Sequence, residues 1–203
     1  AIHNKGVLIL SGILRNLFAQ KKPMNLTASI SFEQSYGGID GDSATAAEIY
    51  VLLSAIANIP IKQNIAITGS VNQLGDVQPI GGVNEKVTGF YQICKERGLT
   101  GDQGVLIPAQ NVMDLMLDDE LLDDVNNGKF HIYSFARIED GASIMTGMPT
   151  GIIDENGNYP EDTLFGKVQV RIDELRKADK EDEDDKIFLR RKTPKKKKYI
   201  TID

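Results

Sequence analysis

Residues 40–57 read DGDSATAAEIYVLLSAIA, a glycine-containing turn followed by an uninterrupted run of helix-compatible residues. The run predicts a helix from about Ser43 to Ala57, and Pro60 follows in the usual place beyond a helix end. A serine at the start of a helix can project its hydroxyl from the turn, where helix-start amides would face an oxyanion. Serine is also a favoured N-cap residue, so this stretch leaves both a capping role and a nucleophilic role open for Ser43.

Periodic segments lie on both sides of this helix. The upstream pattern predicts a helix through residues 8–18 and a strand from Leu26 to Phe32. The downstream pattern predicts a β-hairpin from Ile65–Val71 and Val77–Ile80, a helix from Val83 to Arg97 ended by Gly98, a strand at Val105–Ile107, helices at Asn111–Leu117 and Asp119–Val125, a strand at Phe130–Phe135 and a final helix at Ile138–Met145. This alternation predicts an α/β or α+β domain with short mixed sheets and flanking helices.

The apolar periodicity fades from Pro149 onward. An acidic block at residues 181–185 precedes basic residues at 190–198, and such charge blocks usually stay solvated. We therefore predict one domain over residues 1–148 and a charged, flexible C-terminal extension over 149–203. The alternative for the basic residues 192–198 is a contact with a partner or a nucleic acid.

Composition restricts the class of protein. The chain has 203 residues, 41% of them hydrophobic, and a net charge of −6, which suits one compact core and argues against general nucleic-acid binding. Its single cysteine, Cys94, cannot form an internal disulfide or a cysteine-rich zinc site. Without an apolar run of about 18 residues or a secretory signal, we expect a cytoplasmic protein with no membrane partner.

The sequence lacks the motifs that are typical of several kinds of catalytic site. Only His3 and His131 are present, and neither lies in a motif that would orient it toward a nucleophile, which argues against a Ser-His-Asp triad. The sequence also lacks the H-E-x-x-H zinc motif and the G-x-x-x-x-G-K-[ST] phosphate loop. Residues 154–158 resemble a calcium loop, but their glycine is two places early. The base for a serine nucleophile must then be a carboxylate or a lysine held neutral.

Lys86 is a candidate for such a base. It lies in the first turn of the helix predicted after Gly81-Gly82, where the positive helix end disfavours an ammonium group. The helix end alone does not suffice for a neutral lysine, so apolar neighbours such as Val83 and Val87 would have to add desolvation. The alternative is a surface lysine that pairs with Glu85 or another neighbour.

Six segments carry a resemblance to a known family. They are residues 3–12 (HNKGVLILSG), 31–38 (SFEQSYGG), 40–44 (DGDSA), 68–73 (TGSVNQ), 75–86 (GDVQPIGGVNEK) and 104–108 (GVLIP). Together they resemble the Lon protease family, especially its bacterial B-type and Lon-related members. The resemblance covers about residues 1–148, and the segment beyond Pro149 has no recognised counterpart.

The resemblance implies roles for individual residues. Ser43 matches the nucleophile and Lys86 the general base, while Thr68 matches a position whose hydroxyl orients the lysine. Asp40 matches an acidic position with a supporting or gating role, or it serves only to form the turn. Asp42 stands where the commonest family motif has proline, which leaves open an effect on oxyanion geometry or a capping role.

For the whole protein, the resemblance implies a serine endopeptidase with a Lon-type fold that works as a hexameric ring on unfolded or damaged polypeptides. ATP and Mg²⁺ are expected only in an ATPase module outside this chain, and no cofactor is expected within it. The family's first strands are expected upstream of Ala1. The alternative is a latent assembly or substrate-binding module that is inactive as an isolated fragment.

Overall fold

The computed structural model describes residues 2–32 and 41–192, with side chains described over 5–32 and 41–180. Described residues form six α-helices, five strands and one 3₁₀ helix, in the following order. They are α1 Ile2–Phe18, α2 Thr45–Ala57, β1 Ile65–Ile67, β2 Ser70–Val71, β3 Val77–Gln78, α3 Val83–Arg97, β4 Gly104–Pro108, the 3₁₀ helix Ala109–Asp114, α4 Asp119–Asn126, β5 His131–Phe135, α5 Ile138–Thr146 and α6 Leu164–Lys192.

A parallel sheet lies at the centre of the domain. Among the described residues it contains three strands, with the fully buried β4 between β1 and β5 and parallel to both. Parallel neighbours need crossover connections, and these contain α3 before β4 and α4 before β5. A separate antiparallel hairpin joins β2 to β3. The predicted α/β architecture with short mixed sheets is thus confirmed.

Alternate residues of β4 face two different layers of helices. Leu106 belongs to a core shared with α1, α2, α5 and α6, whereas Val105 and Ile107 belong to a second core with α3 and α4. This alternation follows from the two-residue period of a strand. Helices α2 and α3 therefore cover opposite faces of the sheet.

The strand predicted over Ile65–Val71 is two strands in different sheets. Ile65–Ile67 pairs with β4, while Ser70 and Val71 pair with Gln78 and Val77 in the hairpin. The backbone amide of Gly69, between the two strands, donates to the carbonyl of Ser43 instead of pairing within a sheet. The hairpin itself is confirmed at 70–71 and 77–78.

The strand predicted over Leu26–Phe32 is wrong. This segment lies outside all helices and strands of the described residues. Its side chains Leu26 and Ile30, together with Met24 just upstream, instead pack against the core near α1 and α2. The alternation thus reflects packing of one side of the segment on helices and not the pairing of strands.

One more helix, α6, follows α5, although the sequence pattern predicts α5 as the last helix. Four of its residues are buried in the same core as α2, namely Leu164, Phe165, Val168 and Ile172. We call these four residues the α6 cluster. Their spacing places them on one helical face, but charged residues on the other faces conceal this pattern. The expectation of a flexible extension is therefore wrong for this part of the chain, while the domain boundary at residue 148 stays a prediction.

Thr163 ends the loop before α6 and caps the helix. Its hydroxyl donates to the carbonyl of Pro160 at 2.6 Å and accepts the amide of Gly166 at 3.2 Å. This is the N-cap arrangement that threonine favours. The helix predicted over Asn111–Leu117 is a 3₁₀ helix, and it begins and ends earlier, at Ala109 and Asp114.

Candidate functional site

Ser43 lies in a turn and not within α2. The helix begins at Thr45, two residues later than predicted, and its N-cap residue is Ala44, which makes no side-chain cap. Gly41 enters the turn with φ +79, a backbone conformation that glycine tolerates readily. We call residues 41–44 the serine turn. Because α2 does not use the Ser43 hydroxyl as its cap, the capping alternative for this serine is wrong.

Backbone hydrogen bonds hold the serine turn from two sides. The Gly69 amide donates to the Ser43 carbonyl at 2.8 Å, and the Gly69 carbonyl accepts from the Ala46 amide at 3.1 Å. The Asp42 carbonyl accepts from the Thr45 amide at 3.1 Å and from the Thr45 hydroxyl at 2.7 Å. The amides of Thr45 and Ala46 therefore have partners within the protein, contrary to the expectation that the first helix amides face an oxyanion.

Lys86 comes from the opposite helix layer and reaches the same point. It is the fourth residue of α3, and its amide donates to the carbonyl of Gly82 at 3.1 Å. Its Nζ donates to Ser43 Oγ at 3.2 Å and to Thr68 Oγ1 at 3.4 Å. Among the residues with described side chains, Lys86 forms no ion pair. The alternative that it is a surface lysine paired with Glu85 is therefore wrong within this part of the chain.

Thr68 supplies the second hydroxyl group of the site. It directly follows β1, its side chain is buried, and its amide donates to the carbonyl of Leu106 on the central strand at 3.1 Å. The sheet thereby fixes the hydroxyl that faces Lys86 Nζ. The structure brings Ser43, Lys86 and Thr68 together just beyond the carboxyl end of a parallel strand, the usual place for ligands in open α/β sheets.

The burial that a neutral Lys86 would require from its apolar neighbours is not found among the described residues. Val83 and Val87 are buried, but they face the core between α3 and the sheet, whereas Lys86 is exposed. An open cavity of about 330 Å³ lies beside the lysine and Ser43. It is lined mainly by small apolar side chains, namely Ala44, Ala47, Ala66, Ile67 and Val105.

Asp42 has a partner that the sequence reasoning did not identify. Its carboxylate accepts a hydrogen bond from Lys5 Nζ on α1 at 2.7 Å. The ammonium group of Lys5 lowers the pKa of Asp42 below its ordinary value. The carboxylate does not cap α2, so that alternative for Asp42 is wrong. The only signal for Lys5 in the sequence is its position within the family-like segment 3–12.

Asp40 and His131 were also considered from the sequence. Asp40 lies outside the described residues, so its supporting or gating role stays a prediction. His131 Nε2 lies 2.8 Å from the carbonyl oxygen of Gly101, at the far end of the sheet from Ser43. His131 is thus occupied elsewhere.

Asn111 positions the site, although the sequence pattern does not indicate this role. Its buried side chain accepts from the Ile80 amide at 2.9 Å and donates to the Ile80 carbonyl at 3.1 Å. Ile80 immediately precedes Gly81-Gly82 and the helix that bears Lys86. An asparagine in a predicted helix gives no sequence signal for this role, because the same residue type is common on surfaces.

The loop at residues 154–158 is closed by the protein's own groups. Asp154 Oδ1 accepts the amides of Asn156 and Asn158 at 2.9 and 2.8 Å, and Lys21 Nζ donates to the Glu155 carbonyl at 2.7 Å. A lysine ammonium at one of these carbonyls does not suit a calcium loop.

Over the described residues, no group of three or more His, Cys, Asp or Glu side chains could hold a metal ion. A search of the helices in residues 2–32 and 41–192 finds no segment with the length and apolar character of a membrane span.

Comparisons with known proteins agree with this architecture. Residues 28–144 match the family described as the Lon protease (S16) C-terminal proteolytic domain. A protein of Haemophilus influenzae named as a Lon protease homolog is 45% identical over 174 residues, 85% of this chain and 29% of that protein. An Escherichia coli protein with the same name is 43% identical over 84% of this chain and 28% of its own length. An archaeal Lon protease of Methanocaldococcus jannaschii is 40% identical over 57% of this chain and 18% of its own length.

These matches also bear on the segment after residue 148. Residues 1–148 make up about 73% of the chain, so a match over 85% of it must extend into residues 149–203. The expectation that this segment has no counterpart is therefore wrong. The chain spans less than a third of the length of the first two relatives. On the family match, which covers more than half of its residues, the chain belongs to the Lon protease (S16) family and contains that family's C-terminal proteolytic domain.

Proposed function

We propose that this chain hydrolyses peptide bonds as a serine endopeptidase, with Ser43 as nucleophile and Lys86 as general base. The observation that carries the proposal is the 3.2 Å distance between Lys86 Nζ and Ser43 Oγ. That distance is within the reach required for proton transfer between a nucleophile and its base. Membership in a family of proteases supports this interpretation of the pair.

In the proposed reaction, uncharged Lys86 takes the proton of Ser43 Oγ as the oxygen attacks the carbonyl carbon of a substrate. The resulting ammonium group returns a proton to the departing amine, and water then hydrolyses the acyl-enzyme. Thr68 contributes by holding the lysine, since its Oγ1 lies 3.4 Å from Nζ. This second contact of Nζ restricts the rotation of a long and otherwise flexible side chain.

The developing oxyanion needs donors near Ser43. Because the amides of Thr45 and Ala46 donate to protein carbonyls, we assign this role to the amides of Ser43 and Ala44 in the serine turn. These two amides belong to the same turn as the attacking oxygen, so a carbonyl bound at Ser43 would lie close to both.

Exposure of Lys86 has a consequence for the mechanism. A lysine can accept the serine proton only in its uncharged form, and contact with water favours the charged form of an amine. We infer that a bound polypeptide or a neighbouring subunit covers the lysine and removes water from it. The open cavity beside the pair leaves space for such a cover.

Covalent labelling tests the proposal. The purified chain is incubated with a fluorophosphonate, and the labelled peptide is identified by mass spectrometry beside Ser43→Ala and Lys86→Met variants. We expect label on Ser43 in the parent chain and none on that peptide in either variant. General-base loss lowers rates by about 10²–10⁴-fold, which sets the expected effect of Lys86→Met. Equal labelling of Ser43 in the parent chain and in Lys86→Met would show that the lysine is not the base.

A second function is supported by the same exposure. A domain whose base remains in water could serve as a latent assembly or substrate-binding module when isolated. Light scattering combined with a peptidase assay distinguishes the two functions. Rings without activity support the latent module, whereas active monomers contradict it.

For the complete protein we propose a cytoplasmic, ATP-dependent protease of unfolded or damaged polypeptides that works as a hexamer. The matched relatives extend far beyond the segment that resembles this chain, which leaves length for an ATPase module that binds ATP and Mg²⁺. We propose no membrane partner. A nucleic-acid contact through residues 192–198 stays a prediction, tested by deleting residues 186–203 and measuring DNA binding.

A further inference from the structure

The serine turn is held on one side by Gly69 and on the other by an ion pair. Lys5 Nζ on α1 and Asp42 Oδ2 are 2.7 Å apart, with side-chain exposures of 62% and 29%. Asp42 immediately precedes Ser43, and its carbonyl accepts both the amide and the hydroxyl of Thr45. One residue of the turn is therefore fixed to α1 through its carboxylate and to α2 through its carbonyl.

This arrangement limits how the turn can move. The Ser43 carbonyl is bound to Gly69, so displacement of Asp42 would change the direction of the Ser43 side chain more readily than the position of its backbone. The contact from Ser43 Oγ to Lys86 Nζ is already long, at 3.2 Å. A shift of about 1 Å at a reacting group can cost as much as 10²-fold in rate, so loss of this restraint would be measurable.

We propose that Lys5 is a positioning residue, which through its ion pair with Asp42 holds the serine turn in the orientation that directs Ser43 Oγ at Lys86. The proposal rests on the proposed function of the Ser43 and Lys86 pair. It assigns a role to the N-terminal turn of α1, which contributes no atom to the reaction.

A matched control for Lys5 lies near the other end of α1. Lys22, just beyond the end of α1, pairs with Asp173 at 3.1 Å, and its side chain is 50% exposed. Lys5→Met and Lys22→Met therefore each remove one exposed ion pair that involves a lysine at an end of α1. Only the first pair includes a neighbour of Ser43.

The first measurement is the rate of fluorophosphonate labelling at Ser43. We expect Lys5→Met to slow labelling about 10-fold, Lys5→Arg to restore most of the rate, and Lys22→Met to leave it unchanged. In an Asp42→Asn background, Lys5→Met should cause no further loss, because the two changes remove the same interaction. Independent and additive losses at the two positions would overturn the proposal.

The second measurement does not depend on activity. The Gly69 amide donates to Ser43 in the serine turn, and the Ala46 amide, just beyond that turn, donates to Gly69. Hydrogen exchange of both amides should be faster in Lys5→Met and unchanged in Lys22→Met. The Thr68 amide, which is bonded to the central strand at Leu106, serves as an internal reference. Unchanged exchange at Gly69 and Ala46 would overturn the positioning role. Faster exchange in a chain whose Ser43 never labels would contradict the proposed function and leave the positioning role standing.

Discussion

The serine turn and the α6 cluster both adjoin α2, but different forces hold them. The serine turn is fixed by directional hydrogen bonds from Gly69 and Thr45 and by the ion pair with Lys5. The α6 cluster is fixed by apolar side chains packed into the core that α2 shares with α1 and α5. Hydrogen bonds need particular donor and acceptor atoms, whereas apolar packing needs mainly volume and shape.

This difference explains why one region is recognisable from its residues and the other is not. A glycine-rich turn with a serine, or two glycines before a lysine-bearing helix, can be identified by residue type. The α6 cluster has only a spacing of apolar residues to indicate it, in a helix otherwise rich in charge. Two regions that adjoin the same helix can therefore differ greatly in how readily the sequence predicts them.

Phe165→Ala gives the largest expected effect on stability. Phe165 is 1% exposed and packs edge-on against Phe18 and Tyr159 at ring-centroid distances of 5.6 and 5.3 Å. Its removal should lower the free energy of unfolding by about 3–5 kcal/mol, measured by urea denaturation. Val170→Ala, at a 42% exposed position of the same helix, should change it by less than about 0.5 kcal/mol. Equal effects of the two variants would mean that α6 is not part of the core.

Gly69→Ala affects both kinds of restraint. A β-carbon at Gly69 would lie 2.7 Å from Cζ of Phe135, so either the ring or the Gly69 backbone must move. We expect a loss of about 1–3 kcal/mol in stability, together with slower labelling of Ser43, because Gly69 bonds to Ser43 in the serine turn and to Ala46 in the first turn of α2.

Gly89→Ala is the matched control for that variant. Gly89 lies within α3, and a β-carbon there meets no atom within 4 Å. Alanine should raise the free energy of unfolding by about 0.4–1 kcal/mol, since it restricts the unfolded chain and favours the helix. A destabilised Gly89→Ala with an unaffected Gly69→Ala would contradict the packing described around these positions.

The sequence predicted most of the fold where the pattern was long and regular. Helix α3 begins and ends at the predicted residues, Val83 and Arg97, because Gly82 and Gly98 both interrupt the helix. Leu26–Phe32 was mispredicted because alternation alone cannot distinguish packing on helices from packing within a sheet. The division of Ile65–Val71 between two sheets depends on the bonds of Gly69 to a turn more than 20 residues upstream, which no local pattern contains.

The residues of the candidate site could be predicted from the sequence, but their surroundings could not. Ser43, Thr68 and Lys86 were identified from motifs, and the structure brings their side chains together. The sequence does not predict the exposure of the lysine, because Val83 and Val87 are near it in sequence but face the core instead. Lys5 was also missed, since the partner of a surface lysine depends on tertiary structure.

Thr68→Val tests the smallest of the contacts around Lys86. Valine keeps the shape of threonine but removes the hydroxyl 3.4 Å from Lys86 Nζ. Loss of one such hydrogen bond corresponds to about 0.5–1.5 kcal/mol, so labelling of Ser43 should slow by roughly 2- to 12-fold. Thr68→Ser keeps the hydroxyl and should label nearly as fast as the parent chain. An equally slow serine variant would show that the methyl group, and not the hydroxyl, matters.

The ion pair of the serine turn should also give a small pH dependence of stability. Lys5 lowers the pKa of Asp42 in the folded chain below its ordinary value of 3.8, so the folded chain binds fewer protons there than the unfolded chain. The contribution is therefore complete above that value and is lost as the pH falls through the folded pKa. Because both side chains are partly exposed, screening limits it to about 0.2–1 kcal/mol.

Urea denaturation of the parent chain and Lys5→Met at several pH values measures this contribution. The difference between the two chains should be constant from about pH 5 to 7, shrink below about pH 4 and decrease in high salt. In the Asp42→Asn background it should be absent at every pH, because no carboxylate remains to pair with the lysine. A difference that persists unchanged to about pH 2.5 would show that Lys5 stabilises the chain through packing of its aliphatic stem and not through charge.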